Sequence, residues 1–153
     1  MATARKTTAQ RTSAAKTAPA FTDEEKSAMK ERAKEVKAAK SGTVDDATAV
    51  LDKIAEMADA DRVLAERIHA IVRAAAPGLT PKLWYGMPAY AKDGKVLCFF
   101  QPAKKFKSRY ATLGFNDVAA LDDGAMWPCA YALTTLTAAD EKKLIALVKQ
   151  AAA

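Results

Sequence analysis

The chain has 153 residues, half of them hydrophobic, a single histidine, two cysteines and a formal net charge of +6. That length allows one domain with an adequate core plus a tail, and no apolar run is long enough for a transmembrane helix or a secretory signal. Cys98 and Cys129 are far apart and form no CxxC pair, which fits reduced thiols in a cytoplasmic protein. Charge is unevenly spread. Residues 1–40 carry ten Lys/Arg against five Asp/Glu, whereas residues 41–153 carry fourteen against thirteen. The positive surplus therefore belongs to the N-terminal part, and the rest is close to neutral.

Residues 1–20 hold Arg5, Lys6, Arg11 and Lys16, no acid and little apolar surface. Such a segment cannot offset its chain entropy by burial, and it reads as a disordered basic tail. A solubilising tail, a nucleic-acid arm and an organelle transit peptide are all compatible with it. Four spaced charges without aromatics argue weakly for nucleic acid. Residues 21–42 form an exposed or loosely docked helix. Thr22 and Glu25 make a capping box, the lysines gather in the last turn, and Ser41-Gly42 stops it.

Residues 43–153 make up the main domain. Val44 to Ala58 reads as an amphipathic helix with Val50, Leu51, Ile54 and Met57 on its apolar side, and a third helix capped by Asp59 runs to Ala75. Lys82 to Tyr85 is a short edge strand. Gly86-Met87-Pro88 breaks it, with pairing expected to start after Pro88. Asp93-Gly94 supplies the left-handed positions of a type I′ turn, so Pro88 to Gln101 is a hairpin. That turn sets Lys92 opposite Lys95, Ala91 opposite Val96 and Tyr90 opposite Leu97. Tyr90, Leu97 and Phe99 would then share one face, and Ala91, Val96, Cys98 and Phe100 the other. Lys107 to Phe115 is a further strand, Asn116 to Leu121 a helical turn, and Ala130 to Leu133 a last strand. Thr137 and Asp140 cap a final helix to Ala152. The fold class is α+β, a helical hairpin and a C-terminal helix packed on a small antiparallel sheet.

The string Tyr85-Gly86-Met87-Pro88-Ala89-Tyr90, followed by a Lys/Gly turn and a Val-Leu-x-Phe-Phe strand, resembles the YdhG-like family. The resemblance covers the chain from about Thr43 onward. It implies an α+β domain of this plan and, since some members are described as frataxin-like intracellular iron chaperones, Fe²⁺ as cargo and an iron-accepting protein as partner. The chain departs from the family pattern in one place: Leu113, not a histidine, precedes Gly114-Phe115.

Two sets of residues carry candidate chemistry. Asp45, Asp52, Glu56 and Asp59 would lie within an arc of about 60° on a continuous helix. Such a ridge could hold a hard cation, and equally could be the solvated face of an amphipathic helix. Trp84, Tyr85, Met87, Tyr90, Phe99 and Tyr110 could line a small-molecule pocket or simply build the core. Lys104, Lys105, Lys107 and Arg109 around Phe106 fit single-stranded nucleic acid, or edge lysines that block aggregation. His69 reads as a helix-boundary residue, since no HxxxH spacing accompanies it. No nucleophile elbow, P-loop or dinucleotide fingerprint occurs. The expectation is a non-enzymatic, cytoplasmic binding protein of the iron-chaperone type, with no membrane association and nucleic acid disfavoured. The alternative is a small-molecule or nucleic-acid module using the aromatic and basic sheet face.

Overall fold

The computed structural model describes residues 20–41 and 46–153, with only the backbone of residues 38–41. The N-terminal tail and Asp45 lie outside the described residues. The elements are α1 (Asp23–Ser41), α2 (Asp46–Ala55), α3 (Asp59–Ala75), β1 (Thr80–Trp84), β2 (Met87–Lys92), β3 (Lys95–Gln101), β4 (Ala111–Phe115), β5 (Ala130–Leu133) and α4 (Ala138–Ala152). The five strands form an antiparallel meander in the order β1-β2-β3-β4-β5. The molecule is thus α+β. No described helix is long and apolar enough to cross a membrane.

Both helix caps read from the sequence are present. The Thr22 and Glu25 side chains bond each other's backbone N–H at 2.7 and 3.2 Å. Thr137 and Asp140 do the same at 3.0 and 3.2 Å. Each box satisfies two of the donors that a helix start leaves open. The α2–α3 junction differs from expectation. α2 ends at Ala55, and Ala58, with no side-chain bond, occupies the cap of α3. Asp59 instead lies in the first turn, where it accepts from Arg62 at 3.0 Å. A single turn follows Asn116, as expected, with the Ala119 N–H donating to the Asn116 carbonyl at 3.0 Å.

The β2–β3 hairpin turns as expected, with Asp93 at φ 50° and Gly94 at φ 79°. Lys92 pairs with Lys95 and Ala91 with Val96, but Tyr90 pairs with Cys98. Leu97 is therefore an extra residue in β3, a bulge, and the expected faces must be corrected. One inserted residue reverses the facing of everything beyond it. Tyr90, Leu97, Cys98 and Phe100 all enter the core cluster. Phe99 goes to the opposite face with Ala89, its partner in β2.

A second correction concerns Pro88. Pairing begins before it, with Trp84 opposite Met87 and Leu83 opposite Pro88. Tyr85 at φ 53° and Gly86 at φ 73° form a second two-residue turn with both dihedrals positive. That turn closes on a hydrogen-bonded Trp84–Met87 pair, so the next pair is non-hydrogen-bonded and the missing N–H of Pro88 costs β1 nothing.

The core lies between one sheet face and α2, α3 and α4. Val50 and Ile54 of α2, Leu64, Ile68 and Val72 of α3, and Leu144 and Val148 of α4 join Tyr90, Phe100, Leu113 and Phe115 there. On the other face, Trp84 and Phe99 stack with ring centroids 5.1 Å apart. The Phe99 ring lies across Gly114, its partner in β4, so a Cβ at Gly114 would overlap it. Gly114→Ala must push the ring off Ala89 and away from Trp84. The expected loss is about 1–3 kcal/mol by overpacking, read as a lower urea midpoint with an unchanged m-value. An unchanged midpoint would mean that the ring is not fixed there.

Candidate functional site

The six aromatic-set residues do not share one pocket. Tyr90 is fully buried in the core and Met87 is buried on the opposite face. Tyr110 is exposed on the β3–β4 connection beneath the Arg109 guanidinium, 5.3 Å from its ring centroid. Trp84, Tyr85 and Phe99 do come together. Trp84 lies 5.1 Å from each of the other two rings, and all three are half-buried.

Tyr90 has a role that the sequence did not reveal. Its hydroxyl lies 2.9 Å from Nδ1 of His69, and the rings are tilted at 45°. Burial pushes the Tyr90 hydroxyl pKa up, and burial followed by the Arg73 charge pushes the His69 pKa down. The neutral imidazole can then accept the Tyr90 proton donor inside the domain. Cys98 is likewise a buried thiol, its pKa pushed up to about 12 by desolvation.

The acidic ridge required one continuous helix, and the chain turns between Ala55 and Asp59. Asp52 is exposed, Glu56 pairs with Lys53 at 3.6 Å, and Asp59 pairs with Arg62. Among the described residues, no three His, Cys, Asp or Glu side chains are grouped to hold a metal ion.

What the structure does assemble is a surface that receives the carboxylates of α1 beside the β1–β2 turn. Tyr85 and Gly86, both left-handed, turn successive N–H groups to one side, a concave arrangement suited to anions. They donate to the Glu35 carboxylate at 3.1 and 2.6 Å. A bulky aromatic at positive φ is strained, and this bidentate acceptor helps to hold it there. One helical turn earlier, Glu31 is clamped by Lys105 and by Lys53, the latter at 3.6 Å. Near the start of α1, Glu24 pairs with Lys107, and this hydrogen bond holds its carboxyl below the usual range. Arg32 stacks over Tyr85 at 5.6 Å. Beside this contact line lies a cleft of about 500 Å³ bordered by Glu31, Lys53, Glu56, Asp61, Gly86 and Lys105.

The floor of the cleft is fixed by Asp61, a residue that the sequence reading passed over. It is 5% exposed, and its two oxygens accept from the Ala103 and Lys104 N–H groups, each at 3.0 Å. An acid in the first turn of α3 is also favoured by the helix dipole. The clamp ties the Lys104–Lys107 loop to α3 and so places the lysines. In sequence Asp61 looks like one more exposed helix-start acid. Its partners lie 42 and 43 residues away, beyond any local pattern.

Comparison with protein-family models, with curated proteins and with solved structures finds no match to this chain.

Two expected outcomes follow from this geometry. Asp61→Ala leaves two N–H groups without their acceptor and frees the lysine loop. A loss of about 2–3 kcal/mol is expected in chemical denaturation, and a loss below about 0.5 would show that the clamp is not structural. His69 has a lowered folded pKa, so the folded state binds fewer protons than the unfolded chain. Its stabilisation is fully present above the ordinary value of 6.5 and is lost as pH falls through the folded value. The urea midpoint should therefore fall between pH 7.5 and pH 5.5, and His69→Gln should flatten that slope. An equal slope in both chains would assign the pH dependence to other groups.

Proposed function

We propose that this protein is a non-enzymatic binding module whose ligand is an anion carried next to a flat ring, the chemistry of a nucleotide. The observation that carries the reading is the seating of two α1 carboxylates on receptors the domain provides: the Tyr85 and Gly86 N–H pair, and Lys53 with Lys105. A phosphate group presents the same acceptor oxygens with more charge. Trp84 and Tyr85 directly precede Gly86, and Trp84 meets the Tyr85 ring edge-on and the Phe99 ring at a tilt. Bases stack on such rings with little regard to sequence, while lysines follow the phosphates. The reading makes no use of Tyr90, buried in the core, or of Met87, buried on the opposite face.

The test is titration of the full chain with adenosine monophosphate and with a short single-stranded oligonucleotide, alongside Fe²⁺ under anaerobic conditions. Saturable nucleotide binding in the micromolar range or weaker is expected. Replacing Lys53 and Lys105 by alanine should weaken it tenfold or more, since a charged hydrogen bond is worth about 1.5–3 kcal/mol. If only the oligonucleotide binds, the ligand is a strand rather than a free nucleotide. Absence of nucleotide binding, with Fe²⁺ binding that is lost on replacing Asp52, Glu56 and Asp59 by their amides, would overturn the proposal in favour of iron cargo.

A further inference from the structure

α1 contacts the domain through an unusual stripe. Glu24, Ala28, Glu31 and Glu35 are spaced four, three and four apart, so they lie along one side of the helix. An amphipathic helix normally turns its apolar residues inward. Here Ala28 is the only apolar residue of α1 buried among those described, while Phe21, Met29 and Val36 are exposed. The inward-facing groups are carboxylates: Glu24 on Lys107, Glu31 on Lys105 and Lys53, and Glu35 on the Tyr85 and Gly86 N–H groups. Along the helix these acids are about 10 and 6 Å apart at 1.5 Å per residue. The helix thus presents a row of negative charges to a row of cationic and N–H receptors, as a chain of phosphates would.

We infer that α1 is a built-in competitor that occupies the anion-binding surface and is displaced when the ligand binds. The inference rests on the ligand reading above. Three features of α1 make it displaceable. It buries almost no apolar surface, so the hydrophobic effect contributes little to its docking. Its contacts are polar, ion pairs and hydrogen bonds to backbone N–H groups, and the Glu24–Lys107 pair at its start is exposed on the lysine side, where solvent and salt weaken it. It also approaches the turn so closely that a single Cβ on Gly86 would overlap the Glu31 carboxylate, so the close approach depends on that glycine.

The experiment compares the full chain with its Glu24→Ala, Glu31→Ala, Glu35→Ala triple variant. Alanine preserves helix propensity while removing the three carboxylate anchors. Both are titrated with adenosine monophosphate and the oligonucleotide, and amide hydrogen exchange is followed with and without ligand. The triple variant should bind at least tenfold more tightly, because no internal acid has to leave. In the unaltered chain, ligand should speed exchange in α1 while β2 and β3 stay protected. The Gly86→Ala chain, whose Cβ would overlap the Glu31 carboxylate and the Lys105 ammonium without altering any charge, should also speed exchange in α1. Equal or weaker binding by the triple variant, or α1 protection unchanged by bound ligand, would overturn the inference and leave the binding function standing. No nucleotide binding by either chain would overturn the function, and the competitor role with it.

Discussion

Leu97 stands opposite no residue of β2, and the one-residue shift that it introduces places Tyr90, Cys98 and Phe100 together under the helices. The sheet can bury these side chains on one face only because the pleat alternates strictly on either side of the bulge. Phe99 is left on the far face, stacked with Trp84 and lying over Gly114. The same bulge therefore fills the core and creates the aromatic surface beside the β1–β2 turn.

Carboxylate oxygens bonded to backbone N–H groups are the second recurring device. Asp61 holds the Ala103 and Lys104 amides, and Glu35 holds those of Tyr85 and Gly86. The two differ in burial. Asp61 is almost wholly enclosed, where an orphaned partner would be costly, so its loop is a permanent part of the domain. Glu35 belongs to a helix joined to the sheet by polar contacts. Lys105, on the loop that the permanent clamp holds, and Lys53 of α2 are both neutralised by the docked helix.

This arrangement explains why overall charge was a poor guide. The domain from residue 41 onward is close to neutral by composition. Three of its lysines, Lys104, Lys105 and Lys107, are nevertheless grouped on one loop, and the acids that pair with two of them come from α1. Local potential depends on which charges share a surface, and net charge does not record that.

Local chemistry was legible in the residues themselves. Both capping boxes, the Asp93-Gly94 turn, the β5 boundaries and the extent of α4 depend on contacts within a few positions, and each agrees with the structure. The Tyr85-Gly86 turn was hidden because a bulky aromatic at positive φ goes against backbone preference. The Leu97 bulge was hidden because nothing in an alternating apolar strand marks an extra residue. Asp61 and the acidic stripe of α1 looked like ordinary solvated acids, since their partners lie more than twenty residues away. The sequence by itself determined the helices and strands in outline, through short-range hydrogen bonding and periodicity, but not the start of β2 at Met87 nor that β4 begins at Ala111 rather than Lys107. Only the tertiary structure decided which aromatic rings meet, which carboxylates are buried and which lysines face α1, because those follow from strand register and from contacts between distant segments.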